Sequence, residues 1–508
     1  MRRWFDLFYL LLLVVYIVAG VSLTPFHGDE STLIYMSRDY AYQFLQGDLD
    51  RVTYHDPPLN ATEQELRLLN GTIPKYLFGL AWHTAGFDIS DINEQWDWGA
   101  DWNYNQTTGH APGVALLQTA RWASAIPFAI GAIFIFVIGL QLGGRPTAYL
   151  AALYYALSPA LLLNGRRAMM EGAFIAFSLL VVLAALWWAR WTGKVREGQA
   201  PPLRIGSWAA AAILLGVAAG CALASKHTAV FTVAAVFAAC GGIVLKRFFE
   251  PPYIALTPDL SPSGRGETPG ETDVGMRASA SVTDSHEQTV GARHAVPELQ
   301  PKGDQNGRAG ARPYRRAVIS LLQLACAGLI ALILFYALNP AWWGDPIGRA
   351  SEVLTMRQSL LEGQTAFFGG YNGIGDALGG FFRQTFIGLP QYYEVSGWEN
   401  WIGDQITAVE SSVWRGVSLG GGMVGGLILL VLVMFGCIRL FIDRKTAGTT
   451  RWIIGVWAGM TFLAVLLLTP IEWGRYYLPA LPAVGLLSAF GLTGVIHNVR
   501  RRRSTPPD

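Results

Sequence analysis

The amino-acid sequence predicts an all-α fold, a polytopic transmembrane helix bundle of about ten spans with two long extracytoplasmic loops carrying interfacial helices. Three observations predict it. Only 15% of the 508 residues are charged, against roughly 25% in soluble globular chains. Apolar runs long enough to cross about 30 Å of hydrocarbon recur along the chain. Charge is also sorted between the connections, basic in the short cytoplasmic ones and acidic in the first long loop.

The runs lie near 6–24, 122–142, 147–163, 172–189, 206–223, 228–245, 317–338, 417–438, 452–469 and 476–496. The first follows Arg2 and Arg3 and leads into Thr24-Pro25-Phe26 with no small-residue cleavage site, which predicts an uncleaved anchor. The third is short and ends at Ser158-Pro159, where a tilt or kink is expected. With the N-terminus in the cytoplasm, the inner connections hold Arg145, then Arg190, Lys194, Arg196 and Arg204, then Lys246 and Arg247, then Arg439, Arg444, Lys445 and Arg451, and finally Arg500 to Arg503. The loop 25–121 falls outside with 13 acidic and five basic residues. This predicts a multi-pass protein of the cell membrane with both termini cytoplasmic.

Three regions follow: an N-terminal transmembrane module 1–249 with the loop 25–121, an insertion 250–313, and a C-terminal transmembrane module 314–508 with the loop 339–416. The insertion is charged, rich in Pro, Gly, Ser and Thr, and lacks a hydrophobic period. It cannot bury enough surface to offset ordering entropy, so a disordered cytoplasmic segment is expected. Cys221, Cys240, Cys326 and Cys437 all fall in or beside apolar runs, which gives neither a disulfide framework nor a zinc cluster. A net charge of +2 argues against a nucleic-acid binder driven by bulk electrostatics.

Charges at helix centres mark ion paths in transporters, and this chain has almost none there. Its conspicuous charges sit at the outer ends of spans: Asp29 and Glu30 after the first, Arg166, Arg167 and Glu171 between the third and fourth, Lys226 and His227 between the fifth and sixth, and Glu472 and Arg475 before the last. Acids and bases gathered at one membrane face suit a substrate with an apolar tail and a polar head. A phosphate leaving group needs fixed cations, and an attacking hydroxyl needs a carboxylate base. The competing reading makes each charge an interfacial anchor. Trp96, Trp98, Trp102, Trp342, Trp343, Trp398 and Trp401 stand in the outer loops, as interface anchors or as stacking platforms.

The order of these features resembles the GT-C superfamily of membrane glycosyltransferases, in particular the protein-mannosyltransferase and aminoarabinose-transferase branch. Pro25-Phe-His-Gly-Asp-Glu-Ser-Thr-Leu-Ile-Tyr35 is similar to the acidic pair this family places after its first helix. Gly71-Thr-Ile-Pro-Lys-Tyr-Leu-Phe-Gly79 resembles its proline-containing entry to a helix at the membrane surface, with His55-Asp-Pro-Pro-Leu59 nearby. Ser158-Pro159 with Asn164-Gly-Arg-Arg-Ala-Met-Met-Glu171, then Ser225-Lys-His-Thr-Ala229 and Glu472-Trp-Gly-Arg-Tyr-Tyr-Leu-Pro479, follow in the family's order.

The resemblance implies inverting transfer of a sugar from a polyprenyl-phosphate donor to an extracytoplasmic acceptor hydroxyl on protein, lipid or glycan. Asp29 would be the base. Lys75, Arg166, Arg167, Lys226 or Arg475 would hold donor groups, and Glu30 or Glu171 would position the acceptor or a cation. No cofactor is expected; a divalent metal is left open and not favoured. A transporter or flippase of a lipid-linked sugar, or a noncatalytic membrane scaffold, is the alternative; the first predicts inverted repeats and mid-membrane polar groups.

Overall fold

The computed structural model describes residues 2–194, 205–249 and 305–504. Among them every regular element is helical. Eight helices are long and apolar enough to cross a membrane, and a further apolar helix, Ala209–Ser225, is shorter. The expected insertion lies outside the described residues except at its end, where the helix Gln305–Leu338 begins nine residues before the expected boundary.

The second and third apolar runs form one 44-residue element, Val114–Leu157, that doubles back at Gly143 and Gly144. Gly144 sits at φ 77°, ψ −169°, a conformation that a Cβ would strain. The two limbs pack against each other: Phe128 stacks on Tyr155 at 4.8 Å, and the Tyr155 hydroxyl donates to the Phe128 carbonyl at 2.9 Å. The eighth run starts later than its hydropathy suggests, at Met423, because Gly420, Gly421 and Gly422 turn the chain first.

Burial separates central from peripheral spans. In their most apolar stretches, Glu171–Thr192 is 78% buried and Gly474–Val499 72%, against 22% for Arg3–Leu23 at the rim. Close approach between helices relies on small residues. A Cβ on Gly216 or Gly220 would stand within 3 Å of the Ala327 or Ala331 carbonyl oxygen, so two four-residue spacings of small residues let these backbones touch.

Both long loops are built from short helices that sit on one end of the bundle. Gly28–Met36, Ala61–Leu69 and Thr72–Thr84 come from the first, and Pro346–Phe368 and Glu399–Ser411 from the second. Thr72–Thr84 buries Phe78 and Trp82, one turn apart, and Trp82 Nε1 donates to Ser37 at 2.9 Å. The helix Pro346–Phe368 leaves Ile347 and Leu354, two turns apart, open to the surroundings. The loops also meet each other: the Phe26 amide donates to Gln405 at 2.9 Å.

Candidate active site

The site is organised by the start of Gly28–Met36. His27 is its N-cap: the ring Nδ1 accepts from the Asp29 amide at 3.1 Å, while the His27 amide donates to Glu30 Oε2 at 3.0 Å, a reciprocal cap that satisfies orphan donors. Because Nδ1 accepts there, the proton is assigned to Nε2, which donates to Glu394 at 2.6 Å. Gly28 must lack a side chain, since a Cβ would stand 2.8 Å from Trp98.

This cap sends the two adjacent acids to different environments. Asp29 keeps 29% side-chain exposure and pairs with Arg475. Burial pushes its carboxyl up, but the Arg475 guanidinium outweighs that and holds it below the ordinary value. The helix N-terminus favours the same charge. Glu30 is fully buried and accepts four hydrogen bonds: Arg121 Nε at 2.7 Å and Nη2 at 2.8 Å, the Ala168 amide at 2.8 Å, and the His27 amide. Arg121 and the Ala168 and His27 amides thus hold both Glu30 oxygens, and Glu30 ties the first loop to the bundle.

The expected cations also divide. Lys75 lies buried, 2.5 Å from Asp39, which Arg67 binds at 2.8 Å; Arg67 in turn reaches Glu63 at 2.7 Å. Burial pushes the Asp39 carboxyl up, and Lys75 and Arg67 overcome that. This four-membered cluster pairs the Lys75 ammonium with Asp39. Arg166 gives its donors to the carbonyls of Ile17, Tyr16 and Trp414 at 2.7, 2.9 and 2.6 Å, so it closes the C-terminal end of the first span. Burial pushes it down to about 10, which leaves it charged at neutral pH. Arg167 bonds the Pro25 and Tyr392 carbonyls at 3.1 and 2.6 Å and binds the two loops together.

The remaining expected residues are Lys226, Glu171 and Arg475. Lys226 pairs with Glu171 at 2.7 Å. Arg475 is flanked by the rings of Trp473 and Tyr476 at 5.0 and 5.6 Å. Glu472, from the same motif, turns away to pair with Arg383 at 2.5 Å.

Two site residues were not anticipated. Glu394, from the second loop, meets His27 and stands 3.7 Å from Arg475 Nε; burial raises its carboxyl, and His27 and Arg475 bring it well below the usual range. Arg357, on Pro346–Phe368, hydrogen-bonds the Leu69 carbonyl, and burial together with the nearby Arg475 pushes its guanidinium down. Neither sits in a periodic or motif-like stretch that would single it out.

Beside His27 and Gly28, five tryptophans from both loops form one aromatic group. Trp98 stacks on Trp398 at 5.8 Å and Trp102 on Trp401 at 5.9 Å, with Trp96 between them. Trp342 lies elsewhere, against Phe335 and His227. Among the described residues no group of three or more His, Cys, Asp or Glu side chains is placed to hold a metal ion.

Residues 66–250 match the family model for dolichyl-phosphate-mannose-protein mannosyltransferases. No curated protein matches the chain by sequence. Among solved structures it is similar to ArnT from Cupriavidus metallidurans bound to undecaprenyl phosphate, at 12% identity and a TM-score of 0.45, over 97% of this chain and 61% of that one. It is also similar to the oligosaccharyltransferase of Archaeoglobus fulgidus in the apo form, at 12% identity and 0.47, over 99% and 52%. A third likeness is to the same archaeal enzyme in complex with an inhibitory peptide and a dolichol-phosphate, at 12% and 0.47, over 100% and 53%. The chain therefore spans between half and two thirds of the length of these proteins. The resemblance to the protein-mannosyltransferase branch of the GT-C glycosyltransferases thus coincides with a family match over 66–250, the stretch that contains Lys75, Arg166, Arg167, Glu171 and Lys226.

Proposed function

We propose that the protein is a membrane glycosyltransferase that moves a sugar from a polyprenyl-phosphate donor to an acceptor hydroxyl outside the cytoplasm, with inversion at the anomeric carbon. The observation that carries this reading is the partly open Asp29 carboxylate held against Arg475. An acceptor oxygen attacks the anomeric carbon, the bond from that carbon to the phosphate oxygen breaks, and the lipid phosphate departs as an anion. The hydroxyl proton passes to Asp29. Arg475, Lys226 and Arg357 are proposed to stabilise the departing phosphate, because fixed cations in a low-dielectric setting act strongly on developing negative charge.

His27 and Glu394 act here by positioning. The imidazole fixes the Asp29 backbone and Glu394 fixes the imidazole. The test is transfer of labelled sugar from dolichyl or undecaprenyl phosphate donors in membranes holding matched amounts of wild-type and Asp29→Asn protein. Equal transfer by both would overturn the reading.

A further inference from the structure

His227 occupies the turn between Ile205–Ser225 and Ala229–Phe249, one residue beyond Lys226. Both of its ring nitrogens are buried and neither meets a hydrogen-bond partner among the described residues. The same is true of the indole Nε1 of Trp342, whose ring lies 5.8 Å from the imidazole; Phe335 closes the group at 6.2 Å from His227 and 4.9 Å from Trp342. Next to His227 in the chain, Lys226 takes one oxygen of Glu171, whose Oε2 is left buried and unpartnered. Buried polar atoms are rarely left unpaired, and here three of them belong to one pair of adjacent rings and a fourth to the carboxylate that binds the neighbouring Lys226.

The chemistry of these atoms selects the ligand. Burial and the nearby Arg357 push the imidazole down to about 3, so it is neutral and carries one donor and one acceptor. A phosphate oxygen would serve the donor and leave the bare nitrogen facing lone pairs. A hydroxyl serves both. The indole N–H adds a donor, Glu171 Oε2 an acceptor, and the aromatic faces an apolar wall. His227 follows Lys226 in the chain, and Arg357 is near enough to depress the imidazole, so the hydroxyl-seeking group adjoins two of the cations assigned to phosphate.

We infer that His227 and Trp342, with Glu171 Oε2, form the subsite that recognises hydroxyl groups of the donor's sugar, and that the sugar preference of the protein is set there. The inference rests on the donor reading given under Proposed function.

The test compares binding of bare dolichyl phosphate with that of the same lipid carrying mannose, glucose or galactose, using the full chain in lipid nanodiscs. The wild type is expected to bind at least one sugar-bearing lipid more tightly than the bare one. His227→Leu and Trp342→Phe should each reduce that advantage by about tenfold, the scale of one lost hydrogen bond to a ligand, and leave the bare lipid unaffected. His227→Gln, which retains a donor and an acceptor, should recover part of the advantage. A wild type that gains nothing from any sugar, variants that keep the full preference, or variants that weaken both lipids equally would each overturn the subsite and leave the donor reading standing. A wild type that binds neither bare nor sugar-bearing lipid would overturn both.

Discussion

Arg475, at the start of the last span, donates from Nη1 to Oδ2 of Asp29, at the start of the first loop helix, across 446 positions of sequence. This contact closes the helical bundle into a site, because it brings the two ends of the chain together where the loops from both modules also meet. It leaves Asp29 ionised at neutral pH and one edge of its carboxyl open.

Asp29→Asn retains shape and hydrogen-bonding capacity and loses the proton acceptor. Transfer should fall by about 10² to 10⁴, the usual contribution of a positioned base, with the unfolding temperature in detergent close to that of the wild type. Rates within a few-fold of wild type would remove Asp29 from the chemistry.

Glu30→Gln should act on stability. It strips the charge that faces Arg121 and leaves a buried cation unpaired, a change that costs about 3 to 5 kcal/mol. The expected outcome is a lower thermal midpoint and reduced yield, with residual folded protein still transferring sugar. A normally stable but inactive Glu30→Gln protein would return Glu30 to the reaction.

Lys226→Ala and Arg357→Ala are expected to raise the donor concentration needed for half-maximal rate. Arg166→Met should destabilise the protein without changing the donor requirement, because its donors all go to backbone carbonyls. Donor titrations on the three variants separate the two outcomes, and a donor defect in Arg166→Met alone would reverse the assignment.

The pH profile has a defined sign. Asp29, Glu30 and Glu394 are all held below their ordinary values by cations that outweigh burial. Depressed carboxyls contribute stability in full above their unfolded values, about 4, and lose it as pH falls through the lower folded values. Transfer rate and stability should therefore stay level from pH 7 to about 5 and drop below about 4. An acid limb centred near 6 would point to a different titrating group.

Orientation is tested by labelling. A Cys placed at Asn372 should react with membrane-impermeant reagents on intact cells, and one placed at Ser263 should not. The reverse pattern would turn the protein over in the membrane and place the proposed chemistry in the cytoplasm.

Much of this protein is determined by short-range sequence. Apolar runs dictate where helices form, since the backbone must satisfy itself inside lipid, and the long apolar helices fall on these runs. Gly143-Gly144 dictates the reversal that joins two of them. His27-Gly-Asp-Glu30 is legible as a cap and an acid pair because both properties act within four residues. Which acid faces the site is not legible: Asp29 and Glu30 stand about 100° apart on a helix, and only packing reveals that Arg121, 91 positions away, claims Glu30. The same holds for the cations. Arg166 and Arg167 read alike in sequence, yet one closes the first span and the other ties the loops. Glu394 and Arg357 carry no local signal, because a charge in an irregular loop or on an amphipathic helix is ordinary until the fold sets a partner beside it. Helix formation is local and was decided by the sequence alone; the pairing of charges is long-range, and only the tertiary structure decides it, by choosing which buried ions neutralise one another and which remain free for a substrate.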